Sequence, residues 1–323
     1  MLCLALVVSG LLAGGCSSDP AAAGIPEGPP VTAAEHAADV EEWGAARRGA
    51  LLERDGWLSL VGLMWLDEGE NSFGADPARD LVYTASETPA AVGVFVVDGE
   101  TVSFEPVPDL EIVTLDGERV IDTVVMRAPR VEGEDSGPFP VLTWGSLRWQ
   151  VIRRQDRFAV RLKDALSPVL LNFDHIEMFP IDRSWRVDAR FEFYDPPKPI
   201  LIPNILGTVG EGESPGAVVF VVDGEIHRLD TWKDSDNPEN FFTAFADLTN
   251  RDSTYGGGRF LWIDAPDENG YTVVDFNRSY NPPCVFTPYA TCPLPPEQNR
   301  LPFAIEAGEK TFTPNADDSR VPQ

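Results

Sequence analysis

Lysine and histidine are among the scarce residues of this 323-residue chain, with four Lys (Lys163, Lys198, Lys233, Lys310) and three His (His36, His175, His227). Against 25 Lys plus Arg stand 52 Asp plus Glu, a formal net charge of −27. Binding phosphates needs a basic stripe, and none is present, so no nucleic-acid partner is expected. No nucleotide-cofactor signature occurs and no cofactor is expected. A hydrophobic share of 43% excludes wholesale disorder. The 27 Gly and 29 Pro are too many for a helical bundle and point to turn-rich β structure. No apolar run, that of the first residues included, reaches the roughly 20 residues that a membrane helix needs.

Residues 1–15, MLCLALVVSGLLAGG, are apolar and end in small residues, as the core and cleavage region of a secretory signal do. The run Leu12-Ala13-Gly14-Gly15-Cys16 resembles a bacterial lipoprotein signal, although no positive charge precedes it. That resemblance implies cleavage before Cys16 and its diacylation, hence a partner in the membrane through a lipid anchor and a place on the extracytoplasmic side of the cell envelope. Residues 16–31 are small, polar and Pro-rich, suited to a tether. Cys284 and Cys292 then remain, an even pair that in an exported protein reads as a disulfide candidate or as buried thiols. The seven residues between them do not match zinc-site spacing, so no metal site is expected.

Thr32 and Glu35 form a capping box that opens one N-terminal helix running to about Arg54, with Val40, Trp43, Leu51 and Leu52 as its apolar stripe. His36 is read as lying on an exposed helix. Beyond it the periodicity is two. Val92 to Val97 and Thr101 to Val107 flank Asp98-Gly99, and Val218 to Val222 and Glu225 to Leu229 flank Asp223-Gly224, both hairpin signals. Leu110 to Leu115 and Glu118 to Val125 suggest a third around Asp116-Gly117, and Leu147 to Arg154 faces Arg157 to Lys163. Trp185 to Phe193 alternates apolar and charged residues, and Arg259 to Ile263 with Tyr271 to Phe276 gives a last pair. The expected fold is mainly β: antiparallel sandwich or barrel-like sheets, one N-terminal helix, and a long ordered Pro-rich C-terminal segment. Residues 32–313 are taken as one β-rich domain, with Pro196 to Pro199 a candidate linker between two packed subdomains, and residues 314–323 as a disordered tail.

Gly212-Glu213-Ser214-Pro215-Gly216 matches the pattern of a nucleophile elbow. It lacks the strand–turn–helix setting, and Pro215 removes the amide that an oxyanion hole needs, so it reads as a surface loop. Asp234 to Asn240 is oxygen-rich but lacks the Gly and the distal Glu of a calcium loop, so it reads as a solvated turn. His175 beside Asp174 is general-base material with no nucleophile linked to it. Near the end, proline is so dense that regular helix or strand is excluded. Such a segment is ordered only if its backbone polar groups find partners, which Asn277, Asn281 and Asn299 are suited to provide. With Arg161, Asp164, Tyr255, Arg259, Asp275 and Tyr280 it offers a candidate pocket.

Three runs are similar to an uncharacterised family, domain of unknown function 1684: residues 55–63, residues 157–164, and Tyr280-Asn281-Pro282-Pro283-Cys284 through Cys292-Pro293-Leu294-Pro295-Pro296. The resemblance extends from about Trp43 to Lys310 and implies no activity and no catalytic residue. Two functions fit: an envelope lipoprotein binding a small molecule, glycan or envelope partner, or a cofactor-independent extracytoplasmic hydrolase with Asp164 or Asp275 as acid or base. The carboxylate surplus predicts self-repulsion that salt relieves. The melting temperature should therefore rise from low to high salt, and an unchanged melt would overturn that expectation.

Overall fold

The computed structural model describes residues 24–85, 87–128, 139–154, 156–233, 237 and 239–313. The leader, Cys16, residues 17–23 of the tether, part of the Asp234 to Asn240 loop and residues 314–323 lie outside the described residues. Helix α1 (Ala33–Leu52) begins at the expected capping box. The Glu35 amide donates to the Thr32 hydroxyl at 3.2 Å, and the Thr32 amide donates to the Glu35 carboxylate at 2.9 Å. The helix stops at Leu52, slightly before the expected end. No helix among the described residues is long and apolar enough to cross a membrane.

The body is mainly β. Its first half holds β1 (Leu60–Trp65), β2 (Gly69–Gly74), β3 (Leu81–Val82), β4 (Gly93–Asp98), β5 (Thr101–Pro106), β6 (Val113–Thr114), β7 (Val124–Val125), β8 (Leu142–Trp144), β9 (Leu147–Arg154) and β10 (Arg157–Asp164). They form two five-stranded sheets, ordered β1-β10-β9-β8-β6 and β3-β2-β4-β5-β7. All pairs are antiparallel except β2 with β3. The alternating inward faces meet on buried aromatics: Trp149 of β9 stands edge-on to Phe73 of β2 and Phe104 of β5, with centroids 5.8 and 5.7 Å away.

A short helix α2 (Pro168–Leu171) leads into the second half: β11 (Arg186–Pro203), β12 (Val209–Val222), β13 (Glu225–Thr231), β14 (Phe241–Phe245), β15 (Arg259–Ile263) and β16 (Tyr271–Asp275). One sheet runs β13-β12-β11-β16, and β14 pairs with β15. Phe220, Phe245 and Phe276 centre a second core. A third cluster, with Leu60 of β1 against Ile200, Phe242 and Phe260, joins the halves. In the β12–β13 hairpin Asp223 and Gly224 both take positive φ, 51° and 80°, the primed-turn geometry that an Asp-Gly pair favours.

Several sequence expectations are corrected. Pro196 to Pro199 is not a linker: it lies inside β11, where the ladder to β12 shifts register between Phe193 and Lys198. Ser214 is not in a surface loop but in β12, fully buried, its hydroxyl donating to Gly216 O at 3.0 Å. The turn at Asp116-Gly117 joins only a short hairpin, held by the Val113–Arg119 bridge and by the Thr114 and Val120 amides donating to Glu118 O and Ile112 O at 2.9 and 2.8 Å, while β6 and β7 themselves belong to different sheets. Strands β15 and β16 do not pair with each other; β15 takes β14 and β16 takes β11. The missed partner β14, Phe-Phe-Thr-Ala-Phe, is buried on both faces and so shows no alternation.

After β16 the chain continues without strands through single 3-10 turns at Phe276–Arg278, Pro283–Val285 and Glu297–Asn299. This is the ordered Pro-rich segment the sequence predicts. Asn299 shows how it is held. Its Oδ1 accepts from the Asp230 amide at 2.8 Å, and its Nδ2 donates to Asp230 O, Thr243 Oγ1 and Ala244 O at 2.9–3.1 Å. One fully buried side chain thus satisfies the facing edges of β13 and β14. Asn299→Ala should cost about 3 kcal/mol in urea denaturation, since it leaves several buried groups unpaired. Gln298→Ala, which removes one exposed bond to Asp230, should cost under about 1 kcal/mol; equal costs would refute this role for Asn299.

Candidate functional site

The eight candidate residues separate into three groups. Arg259, at the start of β15, is fully buried. Its Nη2 donates to Asp247 Oδ2 at 2.8 Å and to Ile305 O at 2.9 Å, and its Nη1 donates to Ala307 O. Asp275 ends β16 and accepts the Asn277 amide and Nδ2 at 3.1 and 2.9 Å, while Asn277 also exchanges two bonds with the Asp182 backbone. His36 completes this group: its Nε2 lies 2.8 Å from Asp275 Oδ2, and the residue is buried. The expectation that His36 lies on an exposed helix is therefore corrected. Asp164, at the end of β10, accepts Tyr83 Oη at 2.8 Å and the Leu166 amide at 2.9 Å. These bonds hold backbone in place, and none of these residues lines either of the two cavities described below.

A second group meets α1. Tyr280 is bridged to Phe260 through the backbone, and the Arg47 guanidinium sits 4.6 Å from its ring centre. Asn281 is fully buried; its amide donates to Glu309 Oε2 at 2.7 Å and its Nδ2 to Lys310 O at 2.7 Å. Arg47 joins both partners, donating to Glu309 Oε1 at 3.2 Å and to Asn281 O at 3.0 Å. Above this network lies a cavity of about 330 Å³ between α1 and the segment after α2. Val40, Trp43, Leu51, Phe173, Ile176 and Phe179 supply its apolar wall, with Arg47, Arg48 and Glu309 among its polar groups. The Arg48 guanidinium lies 5.7 Å from the Phe173 ring centre and donates to Asp174 O, and no carboxylate among the described residues is paired with it. His175 is exposed and hydrogen-bonded to Asp174.

The third group comprises Arg161 and Tyr255 beside the two cysteines. Cys284 and Cys292 are free thiols, so the expected disulfide is corrected: the Cys284 amide donates to Cys292 Sγ at 3.0 Å and no bond joins the sulfurs. A hydrogen bond from the Cys292 thiol, then one from Tyr255, lowers the Cys284 thiol below its ordinary range despite burial. The same thiol–thiol bond, with burial, pushes Cys292 up, and burial with the bond to Cys284 raises Tyr255. Arg161 is close enough for its charge to act on Cys292, and its guanidinium lies 5.5 Å from the Trp57 ring centre. Lys163, on the same strand face, is pushed down to about 8 by burial and then by Arg161.

Sequence reasoning missed Arg47, Glu309 and the inward role of His36. The signal for two of them was available: His36, Val40, Trp43, Arg47 and Leu51 recur at spacings of three and four, one face of a helix. Glu309 carries no such pattern.

Residues 171–310 match the family described as "Protein of unknown function (DUF1684)", the family that the sequence resembles. A solved structure that is similar is the solution NMR structure of an uncharacterized protein of Haloarcula marismortui, 28% identical over 43% of this chain and 78% of that one, with a TM-score of 0.37. No curated protein matches the chain.

The buried Arg259–Asp247 pair gives a direct test of its structural role. Arg259→Met should cost about 3–5 kcal/mol in denaturant unfolding, because it strands a buried carboxylate. Adding Asp247→Asn should recover at least half of that loss, and a neutral single variant would contradict the reading.

Proposed function

We propose that this protein is a lipid-anchored binding module of the cell envelope, held on the extracytoplasmic side through Cys16. Its ligand is a small, mainly apolar molecule carrying one anionic group. The observation that carries the reading is the cavity between α1 and the segment after α2. A volume of about 330 Å³ falls at the small end of the range for ligand sites, and the wall is aliphatic and aromatic with few polar groups. Arg47 is already neutralised by Glu309, whereas Arg48 at the rim faces no carboxylate partner among the described residues. An unneutralised guanidinium beside apolar walls favours a carboxylate or similar anion on an apolar body.

A larger cavity of about 660 Å³ is edged by Ile25, Pro26 and Glu27, and its charged groups are mainly carboxylates facing Arg186. It lacks the combination of a mainly aromatic and aliphatic wall with a guanidinium that has no carboxylate partner among the described residues. The hydrolase alternative draws no support from the candidate carboxylates, since Asp275 is engaged by His36 and Asn277, and Asp164 by Tyr83.

Titration with straight-chain alkanoic acids, followed by calorimetry and thermal shift, tests the proposal. A medium-chain carboxylate should bind and raise the melting temperature, and the alcohol of equal length should bind about tenfold more weakly, as loss of a charge-assisted contact implies. Arg48→Ala should weaken the carboxylate about tenfold and leave the alcohol unchanged. Equal binding of acid and alcohol to both proteins, or binding of neither, would overturn it.

A further inference from the structure

The two free thiols lie away from that cavity and carry a separate chemistry. Cys292 is buried in a segment tied to the end of β11: its carbonyl accepts from the Ile205 amide at 3.1 Å, and the Leu294 amide donates to Pro203 O at 2.7 Å. Cys284 sits in the 3-10 turn Pro283–Val285 and is half-buried, so only one of the two sulfurs belongs to a residue within reach of solvent. The Cys284 amide, Tyr255 and Arg161 converge on the pair from three different parts of the chain. Tyr255 stands beside the half-buried Cys284, while the amide and Arg161 act on the buried Cys292, so an accessible thiol paired with an enclosed one is arranged as a nucleophile and a resolving partner.

We propose that Cys284 and Cys292 form an oxidation site for small hydroperoxides, in which Cys284 reacts first and Cys292 resolves it. The Cys284 thiolate attacks the distal peroxide oxygen, the O–O bond breaks, and the alkoxide leaves as an alcohol after taking a proton. Cys284 is then a sulfenic acid. The Cys292 sulfur attacks the Cys284 sulfur, the S–S bond forms, and the hydroxyl departs as water with the Cys292 proton. Two thiols and one hydroperoxide thus give one disulfide, one alcohol and one water, with two electrons passing from sulfur to oxygen. The lowered Cys284 thiol and the raised Cys292 thiol fit this order of events. Half-burial of Cys284 favours a small oxidant over the disulfide of another protein, which would have to approach it closely. The disulfide foreseen from the sequence becomes the product of the site rather than a structural staple.

Peroxide treatment of the full-length protein, read by peptide mass so that Cys3 and Cys16 do not enter, tests the assignment. One equivalent of hydrogen peroxide should remove the mass of two hydrogens from the linked Cys284 and Cys292 peptides. In Cys292→Ser, dimedone should trap a sulfenic acid on Cys284, and in Cys284→Ser the labelling of Cys292 should be slower by roughly tenfold or more. Tyr255→Phe should slow peroxide consumption near neutral pH and shift its pH profile upward. In the unmodified protein, where no variant can misfold, iodoacetamide should modify Cys284 well before Cys292. Equal labelling of the two cysteines, no peroxide consumption by folded protein, or oxidation by glutathione disulfide but not by peroxide would each overturn the proposal.

Discussion

A buried main chain without a ladder must still satisfy every N–H and C=O, and that requirement governs the segment after β16. Proline removes donors and fixes φ, so this stretch can form neither helix nor strand. Long polar side chains stand in for the absent strand. Asn299 bridges β13 and β14, Asn281 holds Lys310 O, and Arg259 gathers the carbonyls of Ile305 and Ala307. Each replacement is worth more than the net gain of one hydrogen bond, because the alternative is an orphaned buried group costing about 1–3 kcal/mol.

The same requirement explains where α1 sits. Its inner face carries His36 and Arg47 among apolar residues, and they reach Asp275 at the end of β16 and Glu309 and Asn281 O of the irregular segment. A purely aliphatic stripe would have buried those groups unpaired. Once the helix is fixed by these bonds, Trp43 and Leu51 are held across from Phe173 and Ile176, and the space between them becomes the candidate cavity. The cavity is therefore a consequence of how the segment is satisfied. It does not need the catalytic geometry that the Asp and Arg candidates first suggested.

Legibility followed the locality of the signal. The capping box at Thr32, the Asp-Gly turns and the β9–β10 pair depend on neighbours in sequence, and all stand where the sequence placed them. The role of Asn277, Asn281 and Asn299 was also readable, because proline density leaves few other ways to satisfy the backbone. Strand β14 was not readable, since a strand buried on both faces has no period of two. The partners of β15 and β16 depend on long-range pairing, which adjacent hydrophobic runs do not encode. The candidate site residues fall into separate groups for a similar reason. Arg259 and Asp275 have the chemistry of a catalytic site, but their neighbours in space, Asp247 and His36, commit them to structure.

Between the cavity and the thiols runs a short stretch from Tyr280 to Cys284, and its stiffness links the two regions without merging them. Asn281 is locked to Glu309 and Lys310, and Pro282 and Pro283 then fix the next two φ angles. The position of Cys284 is thereby set by an anchor three residues earlier, on the α1 side of the segment. Cys292 is set independently by its backbone bond to Ile205 beyond β11. Two sulfurs held from opposite directions meet at contact distance with unequal surroundings, one beside Tyr255 and half-buried, the other enclosed. Unequal thiols are hard to maintain in a mobile loop, where both sample water alike. Their inequality here follows from the rigidity that the Asn281 anchor, the two prolines and the Ile205 bond impose together.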